Sequence, residues 1–236
     1  MHTVFMAKLS LLLMAAPMAG AAPLPNISST FTVHTIERDD ESNTTIAKQT
    51  VARDTHLKRQ YMVADGALAH GHLEEAMRCD LHPMGYALAM HGAEGSAPST
   101  WQCTNDTIAP DLCTFGDFWA LPSNATWDAR VQYNASLVAN RFVWWEEGEE
   151  HEFIATVDGA TPLRIARVTA IPPHRRYHID WIGFTAASPP LSAFTPPAGL
   201  PKCPPSKGAA SDHWSSPKET ASLTLLGMLR ARAPRS

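Results

Sequence analysis

The chain has 236 residues, a formal net charge of −4 and a pI near 6.2. That length holds one large β domain or two small ones with an ample core, and one large domain is expected. The mild acidity excludes the basic footprint needed for nucleic acid or an anionic membrane surface, and seven Trp beside nineteen Pro suit turn-rich β structure better than a helical bundle.

The first 22 residues read as a signal peptide: Lys8 precedes the apolar run Leu9 to Ala16, and small residues follow at Ala19, Gly20, Ala21 and Ala22, where cleavage is expected. The run is too short to cross about 30 Å of hydrocarbon as a helix, which needs about 20 residues. Residues 23–203 are therefore expected as a single secreted domain, outside the cell or in the lysosomal lumen. Five Asn-x-Ser/Thr sequons, at Asn26, Asn43, Asn105, Asn124 and Asn134, agree with a eukaryotic secretory route and mark surface positions. Cys79, Cys103, Cys113 and Cys203 suggest two disulfides with three possible connectivities. None of their spacings is the CxxC of zinc or thioredoxin-like sites. Cys203, set among Pro201, Pro204 and Pro205, reads as a clasp on the end of the domain.

In chain order, Phe31 to Glu37 alternates like a strand, and a charged turn from Asp39 to Asn43 leads to a second segment, Thr44 to Arg53. A third ends at Val63, and Asp65-Gly66 signals a hairpin. Leu68 to Cys79 and Gly85 to His91 continue the meander, although Glu74 to Arg78 suits a helical turn equally. From Gly92 to Asn124 the character changes: Gly92 to Thr100 is loop in composition, Cys103 to Cys113 encloses a polar segment with a sequon, and the dense aromatics Phe115, Phe118 and Trp119 predict a plug or cap on a core. The sheet resumes at Trp127, with Val131, Tyr133 and Ala135 on one face and Arg130, Gln132 and Asn134 on the other. Val138 to Trp145 follows. Phe142 to Phe184 then holds four β segments parted by EEGEE, DGATP and PPHRR, a spacing typical of a meander. In the last of these, Tyr177, Ile179 and Trp181 share a dry face, and His178 and Asp180 a wet one. The fold class is all-β to α+β, a curved antiparallel sheet of half-barrel or sandwich-like form over a short aromatic or helical plug. Residues 204–236 lose the pattern and read as a disordered tail.

Cys113, the aromatic segment to Leu121-Pro122, Trp127, the strand Phe142 to Trp145, Thr161 to Ile165, Tyr177 to Trp181 and the terminal Phe194, Pro196-Pro197 and Cys203 resemble, in this order, the ependymin-related proteins. Similar domains precede the protease region of slime-mould cell-counting-factor-associated proteins. The resemblance spans Cys113 to Cys203. It implies a secreted or lysosomal glycoprotein folded like the bacterial lipoprotein carriers, a curved antiparallel sheet over a hydrophobic pocket. It also implies dimers, calcium and apolar or lipid-like ligands. The last cysteine matches the family best, and no calcium ligand carries over.

No enzyme template fits. There is no GxSxG elbow, and His151-Glu152 lacks the second histidine of HExxH. His70, His72, His82 and His91 suggest a metal group by proximity, but no carboxylate spacing supports one. The run Glu146-Glu147-Gly148-Glu149-Glu150 offers calcium clustered oxygens, or is simply a charged hairpin tip. The ligand hypothesis rests on aromatics: Phe115, Phe118, Trp119, Tyr133, Phe142, Trp144, Phe153 and Trp181 either line a site for a hydrophobic small molecule or lipid, or fill an ordinary core. The expected function is non-catalytic binding of such a ligand, with no cofactor and a possible homodimer. The alternatives are an extracellular adhesion or protein-interaction module, or the remnant of a protease-associated domain.

Overall fold

The computed structural model describes residues 22–66, 71–81, 84–108, 115, 117–146, 148–168 and 176–205. The expected signal, Cys113, His70, His82 and the tail beyond residue 205 lie outside the described residues, apart from Ala22 at the signal's end. Among the described residues, β-branched and aromatic residues alternating with polar ones form eleven strands. The first six are β1 (Phe31–Asp39), β2 (Thr44–Asp54), β3 (Arg59–Gly66), β4 (Gly71–Arg78), β5 (Gly85–Gly92) and β6 (Gln102–Ile108). The rest are β7 (Thr126–Asn134), β8 (Leu137–Glu146), β9 (Glu149–Thr156), β10 (Pro162–Val168) and β11 (Arg176–Thr185). All join one open, curved antiparallel sheet in the order β6-β5-β4-β3-β2-β1-β11-β10-β9-β8-β7. Among the described residues the only helical pieces are short 3-10 turns at Pro98–Thr100 and Leu191–Phe194, and no helix is long and apolar enough to cross a membrane.

Two meanders, β1 to β6 and β7 to β11, meet where β1 pairs with β11 at the centre. Consecutive strands β6 and β7 therefore lie on opposite edges. Phe118 and Trp119, in the segment that precedes β7, lie over one face of the sheet, the inner face.

Inner-face side chains follow from register. Trp144, His151, Arg167, Tyr177 and Asp39 form one row across β8, β9, β10, β11 and β1. Phe142, Phe153, Ile165, Ile179 and Glu37 form the next. Trp181, Thr35, Gln49 and Ala64 belong to a third, across β11, β1, β2 and β3. Phe142, Trp144, Phe153, Ile165, Ile179 and Trp181 pack with Phe31, Val33, Val51, Phe118 and Trp119 in the main core. Each large side chain buried in this way contributes about 1.5–3 kcal/mol.

The opposite face packs a second core over β2 to β5, where Ala52, Tyr61, Ala76, Leu88 and Met90 meet Trp101 and Phe194. The far end of the chain closes it: the Cys103–Cys203 disulfide ties the terminal segment to edge strand β6, and the Asn105 N–H donates to the Pro204 carbonyl at 2.9 Å.

Of the two readings open for Glu74 to Arg78, the strand holds, because its residues complete the ladders to β3 and β5. Gln102 to Ile108, to which the sequence pattern assigns no strand, is strand β6: on an edge the backbone ladder to β5 suffices, and the side chains stay half-buried or in water. The described part of the plug, Asp117 to Leu121, has turn but no helix. The face bearing His178 and Asp180 is not simply wet, since His178 is buried and hydrogen-bonded to Asp40.

Candidate functional site

The plug is held by specific bonds. Trp119 Nε1–H donates to the Ser28 carbonyl at 3.0 Å, and its backbone N–H donates to Asp117 Oδ1 at 3.0 Å. Its indole meets Phe31 at 5.0 Å, Phe118 at 4.7 Å and Trp181 at 5.4 Å between ring centroids, and Trp181 meets Phe153 at 5.5 Å. These tilted and edge-on contacts pack the plug's indole against the sheet. Beneath the plug the Arg53 guanidinium lies 5.2 Å from the centre of the Phe115 ring and 5.5 Å from that of Phe118, and donates to Gln60 Oε1 at 2.8 Å. Burial, opposed by Asp117, lowers its pKa to about 10, so it stays charged at neutral pH.

Six of the eight candidate lining residues, Phe118, Trp119, Phe142, Trp144, Phe153 and Trp181, gather in the main core. Phe115 packs instead with Met77, Cys79 and Ile108. Tyr133 is on the opposite face with Ile154 and Leu163: its hydroxyl donates to Asp180 Oδ1 at 3.2 Å, and Arg164 lies over its ring. The register break between Trp127 and Ala129 causes this. It leaves Trp127 facing Phe142 and turns Val131 and Tyr133 away.

Sequence reasoning missed the polar residues of the same inner face. Thr35 and Gln49 are directly opposed on β1 and β2, 3% and 7% exposed, and neither Thr35 Oγ1 nor Gln49 Oε1 has a hydrogen-bond partner. Glu37, 2% exposed, follows Thr35 on the same side of β1. Ala47 faces Glu37, and Ala64 faces Gln49, so the neighbouring side chains are small. At the other end of the aromatic wall, buried Trp144 stacks on His151 with 5.2 Å between ring centroids, and its Nε1–H also lacks a partner. A buried hydroxyl or amide left unpaired costs about 1–3 kcal/mol. The available signal was Thr35 and Gln49 falling in phase with Val33 and Val51 on strands whose alternate residues are core.

The two described histidines of this group, His72 and His91, do not converge. His72 lies opposite Gly92 while Leu73 lies opposite His91, which puts the two rings on opposite faces. His72 bridges Asp65 at 2.6 Å and Glu74 at 2.8 Å, and Glu74 in turn accepts from the Tyr61 hydroxyl. The acidic run is the β8–β9 hairpin, with Glu146 facing Glu149 across the turn and Gly148 at φ +82°. The carboxylates diverge, Glu149 toward Arg167 at 3.5 Å and Glu150 toward solvent, and no group of side chains suited to a metal ion occurs among the described residues. Of the cysteines, Cys103 pairs with Cys203 and Cys79 is disulfide-bonded. All five sequon asparagines are exposed.

No family model matches the chain, and no curated protein matches it. Among solved structures, that of PNGF-II in space group C2 aligns with a TM-score of 0.37 and 6% identity, over 86% of this chain. The chain spans 34% of that protein's length.

Proposed function

We propose that the inner face binds a neutral, largely apolar molecule bearing a hydroxyl group, without catalysis, in the secretory or lysosomal lumen. The supporting observation is the unpartnered Thr35–Gln49 pair beside the aromatic wall. Thr35 has a proton to donate and Gln49 a carbonyl to accept, and a ligand hydroxyl satisfies both at once. A carboxylate cannot donate to Gln49 Oε1 and would meet the buried side chain of Glu37 on the same face. Phe142, Phe153, Ile165 and Ile179 supply the apolar wall, in one cluster with the plug residues Phe118 and Trp119. The exposed sequons and the disulfide between Cys103 and Cys203 support the compartment.

The test is displacement of N-phenyl-1-naphthylamine from delipidated protein at neutral pH. Dodecanol is expected to displace the probe at least about tenfold better than dodecanoate. Thr35→Val and Gln49→Leu each weaken dodecanol about tenfold, the effect of one hydrogen bond, and Thr35→Ser retains binding. Absence of probe binding sinks the apolar-ligand reading. Probe binding with dodecanoate as the better competitor sinks the hydroxyl.

A further inference from the structure

Among the described residues, Trp145 is the only aromatic side chain among the large exposed hydrophobics, with 62% of its surface in water. Nothing in the sheet accounts for it: Trp144 serves the core, and Trp145 points to the other face, opposite Glu150. The neighbouring edge supplies a reason. Thr126 pairs with Val143 across β7 and β8, and Asn124 lies two residues before it, in the turn closed by the Ala125 N–H bond to the Pro122 carbonyl. The bond from Asn124 Nδ2–H to the Trp145 carbonyl, 2.9 Å, holds its amide at the backbone of that tryptophan. Asn124-Ala125-Thr126 is a sequon, and both Asn124 and Thr126 are exposed.

We propose that Asn124 carries an N-linked glycan whose first N-acetylglucosamine packs on the indole of Trp145. The donor is a polyprenyl-diphosphate-linked oligosaccharide. Asn124 Nδ2 attacks C1 of the first sugar, the C1–Nδ2 bond forms, and the C1–O bond breaks. The diphosphate leaves with the electron pair, and one Nδ2 proton passes to base. One N–H remains on the amide and keeps the bond to the Trp145 carbonyl, so the sugar leaves the protein beside the indole. The C–H face of the pyranose covers apolar ring surface that otherwise stays in water. Asn134 differs: its Oδ1 accepts from Ser136 N–H and Oγ–H within its own turn, at 3.0 and 3.1 Å, and no aromatic ring contact involves this turn. The inference rests on the secretory placement proposed above and is independent of the ligand.

The experiment uses the full chain secreted from a eukaryotic host. Glycopeptide mass spectrometry should find Asn124 occupied. In the glycoprotein, Trp145→Ala should lower the melting temperature by about 2–4 °C and have no effect in the Asn124→Gln background. Ring current from the indole should shift the acetyl methyl protons of the first sugar upfield, and Trp145→Leu, which retains apolar bulk on the strand, should abolish that shift. An unoccupied Asn124 overturns the proposal, and occupation of none of the five sequons overturns the secretory placement with it. An equal loss of stability with and without the glycan, or an unshifted methyl resonance, overturns the packing alone.

Discussion

At the scale of single residues, His72 is the side chain whose charge the structure controls most directly. Burial by itself would lower its pKa, but the hydrogen bonds to Asp65 and Glu74 outweigh it and the net shift is upward. A raised folded-state pKa contributes stability fully present below the unfolded value near 6.5, and that stability is lost as pH climbs through the higher folded value. The melting temperature should therefore fall between pH 6 and pH 8.5 in the wild type, and His72→Asn should flatten this slope; an unchanged slope would remove His72 as its source. Asp180 works in the opposite sense. Burial would raise its carboxyl, yet His178 and Arg164 hold it down at about 2, so its stabilisation is present above the unfolded value near 3.9 and lost as pH falls toward 2. Asp180→Asn leaves Arg164 and His178 short of a partner in the ion-pair chain and is expected to cost about 1–2 kcal/mol at neutral pH, readable by urea titration.

At the scale of elements, the terminal clasp and the plug are held by different means. The Cys103–Cys203 bond closes a separation of 100 residues, for which chain entropy predicts about 4–5 kcal/mol. The Cys103→Ser, Cys203→Ser double variant should lower the unfolding free energy read by urea titration by that order and expose β6 amides to faster hydrogen exchange, while amides of β10 and β11 change little. The plug relies on packing. Trp119→Ala removes a side chain that touches Phe31, Phe118, Trp181 and Phe184 and should cost about 3–5 kcal/mol. Edge strand β7 carries Asp128, Arg130 and register breaks at Trp127/Ala129 and Gln132/Asn134, features that oppose pairing with another sheet.

At the scale of the whole molecule, the two meanders share one seam, β1 against β11, formed by the first and last strands of the sheet in sequence order. Neither half can leave without stripping hydrogen bonds and core from the other, because Phe31 and Val33 of β1 pack in one cluster with Phe153 of β9 and Ile165 of β10. Unfolding should accordingly be one cooperative transition. Trp101, in the core over β2 to β5, and Trp144, in the main core, should report the same denaturant midpoint; two midpoints would show halves of independent stability. Because the seam joins the chain's ends, folding should fall in the slow range typical of sheets dominated by non-local pairing.

The sequence by itself determined the strands with clear alternation, the turns between them and the role of Cys203 as a clasp, because period-two burial and turn chemistry are local properties. It left Gln102 to Ile108 unread, since an edge strand needs no apolar alternation. Tyr133 was assigned to the aromatic wall because a register break, invisible in one strand alone, decides which face it takes. Only the tertiary structure decided that Thr35 meets Gln49 and that the Asn124 amide reaches the Trp145 carbonyl. Both juxtapositions depend on which strands pair and in what register, and pairing over long sequence separations is set by the packing of the whole sheet rather than by any one segment.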